Sequence, residues 1–183
     1  SLPFLFVRLN NEAAFIFFLV LQTQRGSVFS GSHYVDLLQQ QVDFIQSQSS
    51  PFSPKIKVLM DDQSASLLAS DDKFESRVVS VDPDQFMLER MRCWGDEVHR
   101  ESRKPINERD ILIFLDLDLF ILGDLSLFPA QGTFGVVVRN DDVHPINGGF
   151  LAVIPSVSGR EVDLIDAMIE RYASLNPQEK RWF

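Results

Sequence analysis

Asp116 and Asp118, separated by one leucine, stand inside the apolar run Ile111 to Asp124, ILIFLDLDLFILGD. Ile111 to Leu115 is unbroken and apolar, the pattern of a strand covered on both faces of a parallel sheet. Beyond the pair, Leu119, Phe120, Ile121 and Leu122 stay apolar until Gly123. In extended chain, residues two apart face the same side, so the two carboxylates are expected to project together. Adjacent anions among apolar residues repel each other and lose hydration, which is costly without a counterion. A divalent cation meets that need. An all-oxygen donor set points to a hard ion, Mn or Mg, rather than zinc.

Three other readings compete. Aspartates after a strand can cap a helix or make a turn, although the apolar residues past Asp118 read as continued extended chain. A hydrophobic strand followed by DxD also occurs in phosphatase-like hydrolases, where the first aspartate is the phosphorylated nucleophile. That motif usually opens its domain, whereas Asp116 lies past the middle of this chain. A solvated acidic edge is the third, and the flanking leucines, isoleucines and phenylalanine oppose it.

Phe114 to Phe128, FLDLDLFILGDLSLF, resembles the metal-binding segment of A-type nucleotide-sugar glycosyltransferases, in particular the glycogenin and galactosyltransferase-like group. Gly123, Asp124, Leu125, Leu127 and Phe128 extend the match beyond the bare DxD. Ile146 to Val153, INGGFLAV, is similar to that group's Asn-Ser/Gly-Gly turn leading into a strand. The resemblance implies an α/β, Rossmann-like nucleotide-diphospho-sugar transferase (GT-A type) fold, a mostly parallel sheet flanked by helices. It implies metal-dependent transfer of a glycosyl group from a nucleoside diphosphate sugar, a UDP-sugar before others, to a hydroxyl acceptor. Asp116 and Asp118 would hold Mn or Mg, with Asp118 the direct ligand and Asp116 on the ribose or sharing the ion. Thr23, Leu117, Asn147 and Gly148 fall to the donor, and Arg90 and Arg92 to the diphosphate. The group's Trp followed closely by Lys is absent, since Trp94 is followed by Gly95 and Asp96. No residue is assigned as the catalytic base, so inversion and retention both stay open. The group's acceptor half would lie beyond residue 183, so the chain is expected to be the C-terminally incomplete donor half of a longer enzyme. Its expected location is cytoplasmic, or Golgi-lumenal if an anchor precedes it.

The elements that must position these residues can be read from composition and periodicity. A chain of 183 residues, 45% hydrophobic and 23% charged, is long and apolar enough for one buried domain over 1–183, with 1–12 left unassigned. A net charge of -9 disfavours nucleic acid as a partner. The single cysteine, Cys93, makes no internal disulfide and reads as a small buried hydrophobe. The apolar stretches Leu2 to Val7 and Ala13 to Leu21 are too short to span a bilayer, which takes about 20 residues. Neither has the basic start and cleavage site of a signal peptide.

Ala14 to Leu21 reads as the first core strand, and Gln22 to Ser32 as the loop after it. Val35, Leu38, Val42 and Ile45 recur at helical spacing over His33 to Ile45. Lys55 to Met60 is a second strand, completing a βαβ unit, and Asp61 ends it and caps the next segment. Ser64 to Ala69 reads as a short helix, Arg77 to Val81 as a strand and Gln85 to His99 as a helix. Glu101 to Asp110, ESRKPINERD, reads as a charged surface loop. Phe134 to Val138 and Phe150 to Ile154 are strands, and Val162 to Tyr172 a helix. Loops after Gln22, Asp61 and Asp116 should then converge at the carboxyl ends of the strands.

Blander roles are weighed beside these. Tyr34 reads as packing rather than a base-stacking platform, and His144 as a loop residue rather than a ligand. Arg90 and Arg92 fit a solvated helix face equally well. Without the upstream match, Asn147 to Gly149 is a plain turn. Two further function classes remain: a phosphatase-like hydrolase with Asp116 as nucleophile, and a catalytically silent binding domain.

Overall fold

Consecutive residues of a strand point to opposite faces, so the complete burial of Phe15, Ile16 and Phe17 requires a sheet covered on both sides. The computed structural model describes residues 13–19, 31–47, 54–68, 72–117, 119, 134–138 and 146–176. Its strands are β1 (Ala13–Leu19), β2 (Lys55–Met60), β3 (Glu75–Val78), β4 (Ile111–Leu115), β5 (Phe134–Val138) and β6 (Ile146–Val153). Its helices are α1 (Gly31–Ser47), α2 (Asp62–Leu67), α3 (Phe86–Ser102) and α4 (Arg160–Ser174). The six strands form one sheet in the order β3-β2-β1-β4-β6-β5.

The architecture is α/β, as expected, but the sheet is mixed. β3, β2, β1 and β4 run parallel, whereas β6 is antiparallel to both β4 and β5. Parallel neighbours need a crossover of roughly a dozen residues or more. Residues 139–145 between β5 and β6 are too few for one, so those two strands pair antiparallel.

Each face has its own core. On one, Phe15 and Phe17 of β1, Val58 and Met60 of β2 and Ile113 and Leu115 of β4 pack against Leu38, Val42 and Ile45 of α1. The three- and four-residue spacing along α1 is what aligns those side chains on one stripe. On the other face, Ala14, Ile16, Phe18, Leu112 and Phe114 meet Cys93, Trp94 and Val98 of α3 and Ile165 of α4. No helix of the described residues is long and apolar enough to cross a membrane.

The stretch Glu101 to Asp110 is a surface connection in its middle, with Arg103, Pro105, Asn107 and Glu108 exposed, but its two ends are not the loop that its charge suggested. Glu101 and Ser102 are the last residues of α3, and Glu101 and Asp110 are both buried. Glu101 accepts the Asp110 backbone N–H at 2.6 Å, Lys55 and Lys104 neutralise the pair, and Arg109 donates to the carbonyls of Ser102, Lys104 and Ser156. Charged side chains are buried where such partners exist, and partners brought from β2 and from the turn before α4 cannot be read from local charge.

Cys93 is a buried hydrophobe, as expected. Burial disfavours its thiolate and pushes the thiol from 9.0 up to about 11. The folded chain should therefore resist thiol reagents at pH 8 and be labelled only as it unfolds. The unfolded thiol ionises first, so the folded state holds more protons between the two values. Stability from this group is complete below pH 9 and falls as pH rises towards 11, on the order of 2 kcal/mol in all. Cys93→Ala should remove that component of the alkaline slope, measured as the difference in urea midpoints between pH 8 and pH 10.5.

Candidate functional site

β1 and β4 are adjacent and parallel, with Phe17 opposite Leu115. From β1 the chain moves outward through β2 to β3 with α1 and α2 on one face, then returns through α3 on the other to enter β4. The carboxyl ends of β1 and β4 thus flank a topological switch point, the place where open α/β sheets leave a crevice for ligands. Asp116 is the first residue past β4 at that point. Asp61 follows β2 at the same edge and caps α2 as expected, accepting the Ser64 N–H at 2.9 Å.

The chain does not continue extended beyond Leu115. The Leu119 N–H donates to the Asp116 carbonyl at 3.1 Å, closing a turn. Period-two alternation stops where the ladder stops, so a shared strand face no longer relates Asp116 to position 118. Leu117, assigned to the donor from sequence, buries its side chain in the core beside Leu115. Asp118 and Thr23 lie outside the described residues, as do His144 and the segment 120–133.

The second motif is not a turn before a strand. Asn147, Gly148 and Gly149 are inside β6, where the register slips: Val136 pairs with Leu151 and Val137 with Asn147. On the other side β6 pairs with β4, Phe150 opposite Leu115, which sets Gly149 beside Asp116. The Asp116 N–H donates to the Gly149 carbonyl at 2.8 Å. A Cβ on Gly149 would stand 2.8 Å from Asp116 Oδ2 and 2.8 Å from Leu119 Cδ1, whereas one on Gly148 would meet nothing within 4 Å among the described residues. Neither glycine has positive φ, so close approach and not backbone conformation accounts for Gly149.

The two arginines separate. Arg92 is exposed and pairs with Glu89, the solvated helix-face role. Arg90 is buried. Its Nη1 lies 2.5 Å from Asp116 Oδ1, and its guanidinium sits 4.7 Å from the centre of the Trp94 ring. Trp94 in turn stacks on Phe114 at 5.0 Å. The chain thus supplies a cation to Asp116 itself, so Asp116 does not depend on a metal for its counterion. Asp116 keeps 35% of its side chain exposed, which places its carboxylate at the rim. The legible signal for Arg90 was its spacing: four residues before Trp94, it falls on the inward stripe of α3, where a charge needs a partner.

Tyr34 packs against the core as expected. Gln41 carried no assignment, yet it is fully buried and its Nε2 donates to the carbonyls of Leu117 at 3.2 Å and of Leu119. Three residues after Leu38 and four before Ile45, it lies on the apolar stripe of α1. Among the described residues no three His, Cys, Asp or Glu side chains gather as a metal would require. No protein-family model and no curated protein matches the chain.

Proposed function

We propose that the chain carries the donor site of a metal-dependent glycosyltransferase, moving a glycosyl group from a nucleoside diphosphate sugar, a UDP-sugar first, to a hydroxyl acceptor. One observation carries the reading. The two segments that resemble this family, separate in sequence, touch at the switch point through Asp116 and Gly149, with a buried arginine on the same carboxylate.

What supports a hard cation is the Asp116 carboxylate at the rim, a second aspartate two residues on in the sequence and the oxygen donors that both offer. Asp118 would bind the ion directly. Asp116, oriented by Arg90, would hold the ribose or share the ion. When bound, Mn or Mg supplies Lewis-acid stabilisation of the departing diphosphate. Arg90 adds fixed positive charge beside that position, on a side chain locked by Trp94 and so preorganised. Asn147 and Gly148 would meet the donor sugar. Thr23 would lie towards the base.

Calorimetric titration of UDP, and then GDP, with and without Mn, tests this directly. Metal-dependent UDP binding is expected, and it should vanish in an Asp116→Asn, Asp118→Asn double variant. A folded wild-type chain that binds neither nucleotide would overturn the proposal.

A further inference from the structure

We infer that Gln41 is a positioning residue for the turn that carries Asp116, acting from α1 on the opposite face of the sheet from Arg90. The inference rests on the donor-site reading and deepens it. Gln41 sits among Leu38, Val42 and Ile45 and is completely buried, a place where an amide suffers desolvation that an aliphatic side chain would avoid. Packing alone does not call for it. Its Nε2 uses its two protons on the Leu117 and Leu119 carbonyls, the two backbone oxygens that flank position 118 in the chain. Its Oε1 is buried with no hydrogen bond among the described residues, so the amide is set by what its nitrogen holds.

The turn is therefore fixed from three sides. Gly149 receives the Asp116 N–H, Arg90 holds the Asp116 carboxylate, and Gln41 holds the backbone on both sides of residue 118. A carboxylate such as that of Asp116 serves a hard ion best when the turn that carries it is preset to within a fraction of an ångström. Tying both flanking carbonyls to a buried helix does this without using any side chain of the turn.

The test compares the full chain with Gln41→Met, which keeps the length and apolar contacts but donates nothing. Three quantities are read: the urea midpoint, the Mn dissociation constant and bound-Mn line shape by electron paramagnetic resonance, and hydrogen exchange of the Leu119 amide. The expected result is a folded variant with Mn bound at least tenfold more weakly, an altered line shape and Leu119 exchange at least tenfold faster. Unchanged Mn affinity in a folded variant, with wild type binding Mn, would overturn the inference. If wild type binds no Mn, the donor-site reading fails, and the pin is judged on Leu119 alone: faster exchange supports it, equal exchange rejects it. Should Gln41→Met not fold, Gln41→Glu, close in shape but without donors while ionised, takes its place under the same criteria.

Discussion

Glu97→Ala is expected to destabilise the chain by about 3 kcal/mol, read from urea unfolding at neutral pH. Glu97 is buried on α3, and three cations converge on it: Arg77 of β3 at 2.8 Å, Lys57 of β2 at 3.2 Å and Arg100 at 3.5 Å. Removing one partner of a buried ion pair costs about 3–5 kcal/mol, mainly because the others keep their charge without compensation. Lys57 and Arg77 are 23% and 22% exposed and can turn partly towards water, which argues for the lower end. The loss should concentrate on β3, a four-residue edge strand whose burial is slight, so its amides should exchange first. Replacing Glu97, Lys57 and Arg77 together with methionine should recover most of the stability, because the desolvation cost disappears with the charges. A loss below about 1 kcal/mol in Glu97→Ala would show that the cluster is solvated rather than buried.

Gly149→Ala and Gly148→Ala should behave as opposites although the residues are neighbours in one strand. Neither position needs positive φ, so alanine is acceptable to both backbones. At Gly148 the new methyl meets nothing within 4 Å among the described residues, and the change should be neutral within about 0.5 kcal/mol. At Gly149 it lands 2.8 Å from Asp116 Oδ2, 2.8 Å from Leu119 Cδ1 and 3.2 Å from Asp116 Cβ. Asp116 cannot simply swing aside, because Arg90 holds its carboxylate and its own N–H is tied to the Gly149 carbonyl. Overpacking of this kind costs about 1–3 kcal/mol. The larger effect should be on binding: Mn-dependent UDP affinity should fall at least tenfold in Gly149→Ala. Equal urea midpoints for the two variants would reject the close contact between β6 and the turn. Equal UDP affinity alongside a lowered midpoint would separate that contact from the donor site.

How far the site is legible without the fold differs residue by residue. Asp116 stands out because a carboxylate ending an apolar strand is improbable without a purpose, and it does lie at the switch point. Arg90 and Arg92 are indistinguishable by type, two residues apart on one helix. Only the direction in which α3 turns its faces separates a buried partner of Asp116 from an exposed partner of Glu89. Gly149 has the local signature of a turn glycine, since nothing near it in the chain announces a carboxylate 33 positions earlier pressing on its Cα.

Periodicity specified most of the elements and their inward faces. Lys55–Met60, Ile111–Leu115 and Phe134–Val138 are strands at the expected bounds, and the stripes of α1, α3 and α4 follow their spacing. It could do so because burial of alternate or every third and fourth residue is a local consequence of backbone period. The tertiary structure alone decided the antiparallel entry of β6, the turn that replaces extended chain at Asp116, and the burial of Glu97, Glu101 and Asp110. Each of these depends on which distant group arrives opposite: a strand free to pair, a carbonyl for a turn N–H, a cation for a carboxylate. Periodicity states that a face is covered, and the partner that covers it is chosen only when the chain closes on itself.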